Sequence, residues 1–207
     1  MSLQQGRISY RVAGGRRRIA PHLFLCHYCP RDYGPDELSS SLLRFKAGLG
    51  PDSDAWTAYA LEALRKRGFS PGVLVVRALH HQETFLTGRE GSSLDVLAAG
   101  IARRFGGRYA PLLLGKRRVT RTCRELPTKA ERIAELRGVY YWRGRTDLGR
   151  WGQKVLILDD IVTTGATTSA ILAVVHEALP EASLLVYSLA RASPDRLFNQ
   201  ALMRTGL

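Results

Sequence analysis

Short runs of apolar and β-branched residues at 73–76, 155–158 and 184–189 are separated by stretches with helical spacing. A run without polar alternation belongs to a strand covered on both faces, and such strands occur in mostly parallel sheets whose crossovers are helices. The intervening segments carry the matching signals. Ser53 or Asp54 can cap a helix whose apolar positions are Trp56, Tyr59, Ala60, Ala63 and Leu64, with Gly68 at its end. Ser92 or Ser93 can cap another through Leu94, Leu97, Ala98 and Ile101, closed by Gly106 and Gly107. Further strands are expected at 109–114 and 139–142, and further helices at 128–136 and at 167–179, the last stopped by Pro180. Residues 1–50 read as irregular, with short strands at 7–12 and 19–25 and a loop at 30–35. The expectation is an α/β fold: a mostly parallel sheet flanked by helices over 51–207, with 1–50 as a small N-terminal hood or appendage.

A length of 207 residues suits one domain plus an appendage. No apolar stretch approaches the roughly 20 residues of a membrane span, and residues 1–18 are polar and Arg-rich without a signal-like apolar region. The expected setting is therefore the cytoplasm, with no membrane partner. The formal net charge of +13 raises the local concentration of polyanions or phosphorylated metabolites around the chain. It sets the sign of a partner without naming one.

In open parallel sheets ligands bind beyond the carboxyl ends of the strands. After the run 155–158 come Asp159, Asp160, Ile161, Val162, Thr163, Thr164, Gly165, Ala166, Thr167 and Thr168, and then a helix. Two adjacent carboxylates thus stand at a buried strand's exit, followed by a turn of hydroxyls around a glycine. The first N–H groups of the helix lack internal acceptors and carry the positive end of its dipole, which suits a dianionic monophosphate. The lysine of a P-loop is absent, as is a Gly-x-Gly-x-x-Gly fingerprint. Paired acids beside a phosphate make sense if they accept hydrogen bonds from sugar hydroxyls with a cation nearby, and phosphate, diol and cation together describe a ribose 5-phosphate.

The stretch 155–168 resembles the phosphoribosyl-pyrophosphate (PRPP) motif of type I phosphoribosyltransferases: four apolar residues, two acids, two apolar residues, then Thr-Thr-Gly-x-Thr. A looser similarity, spanning roughly 42–191, is to the competence-protein ComF branch, which is amidophosphoribosyltransferase-like. It rests on Leu42-Leu43-Arg44-Phe45-Lys46-Ala47-Gly48 and on residues 121–140. Two segments depart from that branch: Val76-Arg77-Ala78-Leu79-His80 stands where it usually has Pro-Val-Pro-Leu-His, and Arg89-Glu90-Gly91-Ser92-Ser93 where it has Arg-Gly-Phe-Asn-Gln.

The resemblance implies the type I phosphoribosyltransferase fold and transfer of a phosphoribosyl group from PRPP to a base or amine, with release of pyrophosphate. It implies that Thr163, Thr164, Gly165, Ala166 and Thr167 hold the 5-phosphate. Asp159 and Asp160 would accept the ribose hydroxyls, with Mg2+ carried by PRPP near them. Arg77, Ala78 and Arg89 would hold pyrophosphate, and Arg77 and Arg121 would serve catalysis with the acids. The acceptor is unidentified, and a homodimer is compatible with the family. A non-catalytic ComF-like protein that binds PRPP or single-stranded DNA, in DNA uptake or nucleotide-responsive regulation, is the alternative, motivated by the charge, the Arg16-Arg17-Arg18 and Arg65-Lys66-Arg67 runs, and those two departures.

Between 115 and 132 seven cations (Lys116, Arg117, Arg118, Arg121, Arg124, Lys129 and Arg132) stand against two carboxylates. This segment either closes over a leaving group or is a solvated charged loop; His80 and His81 are likewise either ligands or surface residues. Cys26 and Cys29 form a single Cys-x-x-Cys, with His22 and His27 nearby and Cys123 far along the chain. The pair reads as ordinary thiols, with zinc on these four residues as the lesser alternative, since a structural site needs four ligands.

Overall fold

The structure, a computed structural model, describes residues 3–30, 36–48, 50–84, 92–122, 125–144, 148, 151 and 153–193. It is a mixed α/β fold built on a six-stranded, mostly parallel sheet. Along the chain run β1 (Gln4–Arg11), β2 (Arg17–Tyr28), α1 (Glu37–Ala47), α2 (Gly50–Lys66), β3 (Leu74–Arg77) and α3 (Ser93–Arg104). Then follow β4 (Arg108–Tyr109), β5 (Leu114–Lys116), α4 (Lys129–Leu136), β6 (Tyr140–Trp142), β7 (Lys154–Val162), α5 (Ala166–Ala178) and β8 (Ser183–Ala192). The sheet order is β1-β2-β8-β7-β3-β4, with only β1 antiparallel to its neighbour, and β5 and β6 form a separate antiparallel pair.

Period-two alternation divides the core. Leu156 and Leu158 of β7 face one way, joining Val75 and Leu189 against Leu42 and Phe45 of α1, Trp56 and Leu64 of α2, and Leu97 and Ile101 of α3. Val155 and Ile157 face the other way, joining Leu74, Val76 and Val186 against Ile171 and Val175 of α5, Leu114 of β5 and Tyr140 of β6. β7 is therefore clad on both sides, as its sequence demands.

Three expectations change. Residues 1–50 do not stand apart as a hood: β1 and β2 extend the main sheet, with β2 paired to β8 in parallel register from His22 opposite Val186 to Tyr28 opposite Ala192. The same stretch also holds α1, capped by Asp36, whose side chain accepts from the Ser39 N–H at 2.7 Å, and closed by Gly48 at φ 77°. The strand expected at 109–114 is broken: β4 ends at Tyr109, Pro111 lies in a turn, and the chain resumes as β5 in another sheet. Pro111 has no N–H to donate to a ladder.

Among the described residues, no helix is long and apolar enough to cross a membrane.

Candidate functional site

β7 runs further than its apolar run. Asp159 still pairs with Ser188, and Ile161 with Ala190, so the ladder carries both acids to the carboxyl rim of the sheet before the chain turns. Asp159 is buried, at 8% exposure. Its Oδ1 accepts the Asp160 N–H at 3.0 Å. Burial, reinforced by the neighbouring Asp160 carboxylate and opposed by Lys46, pushes the Asp159 carboxyl well above its ordinary value. Asp160 is more open. Its Oδ1 accepts the Ile161 N–H at 2.6 Å, and its Oδ2 lies 2.8 Å from Lys46 Nζ.

The turn then opens α5. Gly165 is the N-cap at φ 75°, a left-handed conformation in which an L side chain is strained, and a Cβ there would stand 3.4 Å from Ile8 Cδ1. The Ala166 N–H reaches Thr164 Oγ1 at 3.4 Å, and the N–H groups of Thr167 and Thr168 meet no acceptor among the described residues. Thr168 is turned inward, donating its hydroxyl to the Gly165 carbonyl at 3.1 Å. Thr163 is exposed and Thr164 and Thr167 are half-buried. Thr163 Oγ1 accepts from Arg132 Nη1 at 3.3 Å, which brings α4 alongside the turn. The turn thus presents hydroxyls, helix N–H groups and a guanidinium beside two acids.

The residues after β3 are arranged differently. Arg77 is 7% exposed. Its Nε donates to Asp95 at 2.5 Å, its Nη1 to the Ala78 carbonyl at 3.1 Å and Glu83 at 2.8 Å, and its Nη2 to Glu83 at 2.9 Å and Asp95 at 3.1 Å. All five donors of the guanidinium are satisfied inside the protein. Tyr109 and Ser92, both half-buried, also bond Asp95 and complete the network. Arg77 therefore braces β3 against α3 and offers nothing to a pyrophosphate, contrary to the role expected of it. The Ala78 N–H is likewise taken, by the Leu158 carbonyl at 2.7 Å. Arg89 lies outside the described residues, as does Cys123.

Of the basic segment, only part is free to solvent. Lys116 is buried, with Nζ donating to the carbonyls of His80 and His81, each at 3.0 Å, and to Thr120 Oγ1 at 3.1 Å. Burial lowers its pKa to about 8. It ties β5 to the loop after β3. Burial, Lys116 and Lys46 together hold the His81 pKa below its ordinary value. Arg121 is exposed, 3.2 Å from Glu135, and Arg118 holds the same carboxylate at 2.7 Å. The two arginines pin the segment to α4.

Sequence reasoning missed Lys46 as a site residue. α1 had no place in the expected fold, and the signal was the helical spacing of Leu38, Leu42 and Phe45, which turns Lys46 off the core face.

The cysteines lie elsewhere. Cys26 is buried in the core and donates to the Leu189 carbonyl at 3.6 Å, and burial pushes its thiol pKa upward. His22 Nε2 lies 2.8 Å from Ser188 Oγ, and the His22 ring packs on Phe24. Among the described residues, no three His, Cys, Asp or Glu side chains are grouped to hold a metal. A four-ligand zinc site at Cys26, Cys29, His22 and His27 has no geometric basis there.

No family model and no curated protein matches the chain. Among solved structures, the crystal structure of TT1426 from Thermus thermophilus is similar over 72% of this chain and 78% of that one, at 20% identity and a TM-score of 0.37. A likeness at that level carries no argument about function.

Proposed function

We propose that the chain binds PRPP and transfers its phosphoribosyl group to a base or amine with release of pyrophosphate, as the type I phosphoribosyltransferases do. The observation that carries this reading is the β7–α5 turn, where two acids leave a central strand onto a left-handed glycine, a set of hydroxyls and unpartnered helix N–H groups. The N–H groups of Thr167 and Thr168, with the hydroxyls of Thr163 and Thr164, hold the 5-phosphate. Asp160 accepts a ribose hydroxyl in place of Lys46, and Asp159 holds the adjacent one from its buried position. Arg132, already on Thr163, adds a cation to the phosphate.

Two carboxylates make an incomplete cage, which suits a Mg2+ that keeps its waters and takes most other ligands from substrate phosphates. Asp159 and Asp160 are the residues that would face it, and the ion would supply charge neutralisation at the departing pyrophosphate. Arg121 and the neighbouring cations, exposed beside α4, stabilise the same developing charge when the segment meets the donor.

A second reading has an observation of its own. Arg77, one of the cations expected at the rim beyond β3, is locked by Glu83 and Asp95. That favours a protein that binds PRPP, or single-stranded DNA, without turnover. Calorimetry with PRPP and Mg2+ tests the shared premise: the parent binds, and an Asp159→Asn, Asp160→Asn variant loses at least tenfold in affinity. Equal binding by parent and variant overturns both readings of the turn. Pyrophosphate release across purines, pyrimidines and ammonia then separates transfer from binding alone.

A further inference from the structure

At the opposite rim of the sheet from the β7–α5 turn lies a groove of about 650 Å3. It is bounded by the β1–β2 hairpin, the last turn of α5 and the start of β8. Ser183 opens β8 and pairs with Lys154 at the start of β7, so the groove is set off from Asp159 by most of β7, about 16 Å at 3.3 Å per residue. Its volume falls within the range of small-ligand sites.

The lining has two chemistries. The floor is apolar: Tyr10, Ala20 and Leu184 are all buried, and Pro21 adds its ring. The rim carries Arg16, Arg17, Arg18, the His176 imidazole and the Ser183 hydroxyl, with no carboxylate among the lining residues. Arg44, Arg65, Arg77, Arg118 and Arg121 each hold an acid, whereas Arg16, Arg17 and Arg18 are in no ion pair with a described residue. Arg17 belongs to the other face of the strand, where its Nε donates to Ser9 Oγ at 2.7 Å. Tyr10 packs edge-on to His176, joining the hairpin to α5 at the groove floor. Arg18 lies opposite Tyr10 on the strand face of the floor, and Arg16 stands two residues before it at the hairpin's end; two guanidiniums without a carboxylate thus edge one apolar concavity, and a guanidinium fork suits phosphate oxygens.

We infer that this groove is a second binding site, distinct from the β7–α5 turn, for a nucleoside di- or triphosphate: phosphates on the arginine rim, the ring system over the apolar floor. A single-stranded nucleic acid is the weaker fit, because the groove's two aromatic rings, Tyr10 in the floor and the half-buried His176, pack on each other and leave no open stacking face for a run of bases.

The full chain is titrated calorimetrically with ATP, with inorganic triphosphate and with a twelve-nucleotide oligo-dT. ATP is expected to bind the parent and the Asp159→Asn, Asp160→Asn variant equally. Its affinity falls at least tenfold in Arg16→Gln, Arg18→Gln, two exposed positions whose side chains donate to no described residue, and falls again as salt is raised. Triphosphate is expected to bind at least tenfold more weakly than ATP, because it leaves the floor uncovered. His176→Ala, a second variant that leaves the arginines in place, lowers ATP affinity as well. The inference is overturned if ATP binding survives the arginine changes, if it is lost only in the aspartate variant, if triphosphate matches ATP, or if oligo-dT binds through these arginines while ATP does not. PRPP binding that ignores the aspartate changes would strike the PRPP reading alone, since ATP binding at this groove does not pass through them.

Discussion

β7 and β3 are neighbours in the sheet, end on the same rim, and each delivers charge there, yet they finish in opposite ways. β7 releases Asp159 and Asp160 onto a turn whose N–H groups and hydroxyls face outward, with one acid met by a half-exposed lysine from α1. β3 ends in Arg77, whose five donors are all consumed by Glu83, Asp95 and the Ala78 carbonyl. One strand end is left open, and the other is closed on its own partners. A charge at a strand's carboxyl end marks the rim; only its partners decide whether it serves the ligand or the scaffold.

The contrast is sharpest where it can be broken. Arg77→Ala leaves buried Glu83 and half-buried Asp95 without their cation, and should cost about 3–5 kcal/mol in urea denaturation. A loss under about 1 kcal/mol would mean that Arg77 is not the brace described. On the β7 side, Gly165→Val places a branched side chain at φ 75° against Ile8 and should cost at least ~1–2 kcal/mol while abolishing PRPP binding. Unchanged affinity would remove the turn from the site.

Proton linkage gives a subtler distinction. The raised pKa of Asp159 means that the folded state holds its proton above the ordinary value of 3.8, where the unfolded chain has released it. The folded state then binds more protons, so stability falls as pH rises from near 4 through the raised pKa and levels off beyond it. Asp159→Asn should flatten that fall and be more stable than the parent at the alkaline end. Lys116 works in the other direction. Its pKa of about 8 lies below the unfolded value of 10.5, so the parent gains stability as pH climbs from about 8 to 10.5, and Lys116→Met does not. Denaturation midpoints across pH check both, and parallel profiles for parent and variants would contradict the assignments. The smallest effect belongs to Arg121→Ala, whose exposed pairing with Glu135 is worth about 0–1 kcal/mol, while PRPP affinity should fall measurably if the segment meets the donor.

Much of the scaffold was legible because it obeys local rules. The run 155–158, bounded by polar residues and β-branched within, could be little other than a doubly covered strand, and Thr128 with Glu131 forms the capping box that opens α4. The β7–α5 turn was legible for the same reason, since acids, threonines and glycine are contiguous. Other features depend on what is far away in sequence. α1 was hidden in a stretch rich in turn residues, although Asp36, Leu38, Leu42, Phe45 and Gly48 hold its signals. The extension of the sheet by β1 and β2 requires β8, more than 150 residues later. Arg77 could be assigned to the rim, but its fate rests on Glu83 and Asp95, and no local pattern announces that a guanidinium will turn inward. Lys46 reaches Asp160 only because α1 packs beside the rim.

The most direct measurement is a titration of the 15N-labelled chain with ribose 5-phosphate, read at the backbone amides. Binding at the β7–α5 turn predicts the largest shift changes at residues 163–168, with smaller ones at Lys46 and Arg132 and none at Arg16 or Arg18. Shifts confined to the arginine-lined groove, or none at 163–168 at saturating sugar phosphate, would contradict the account.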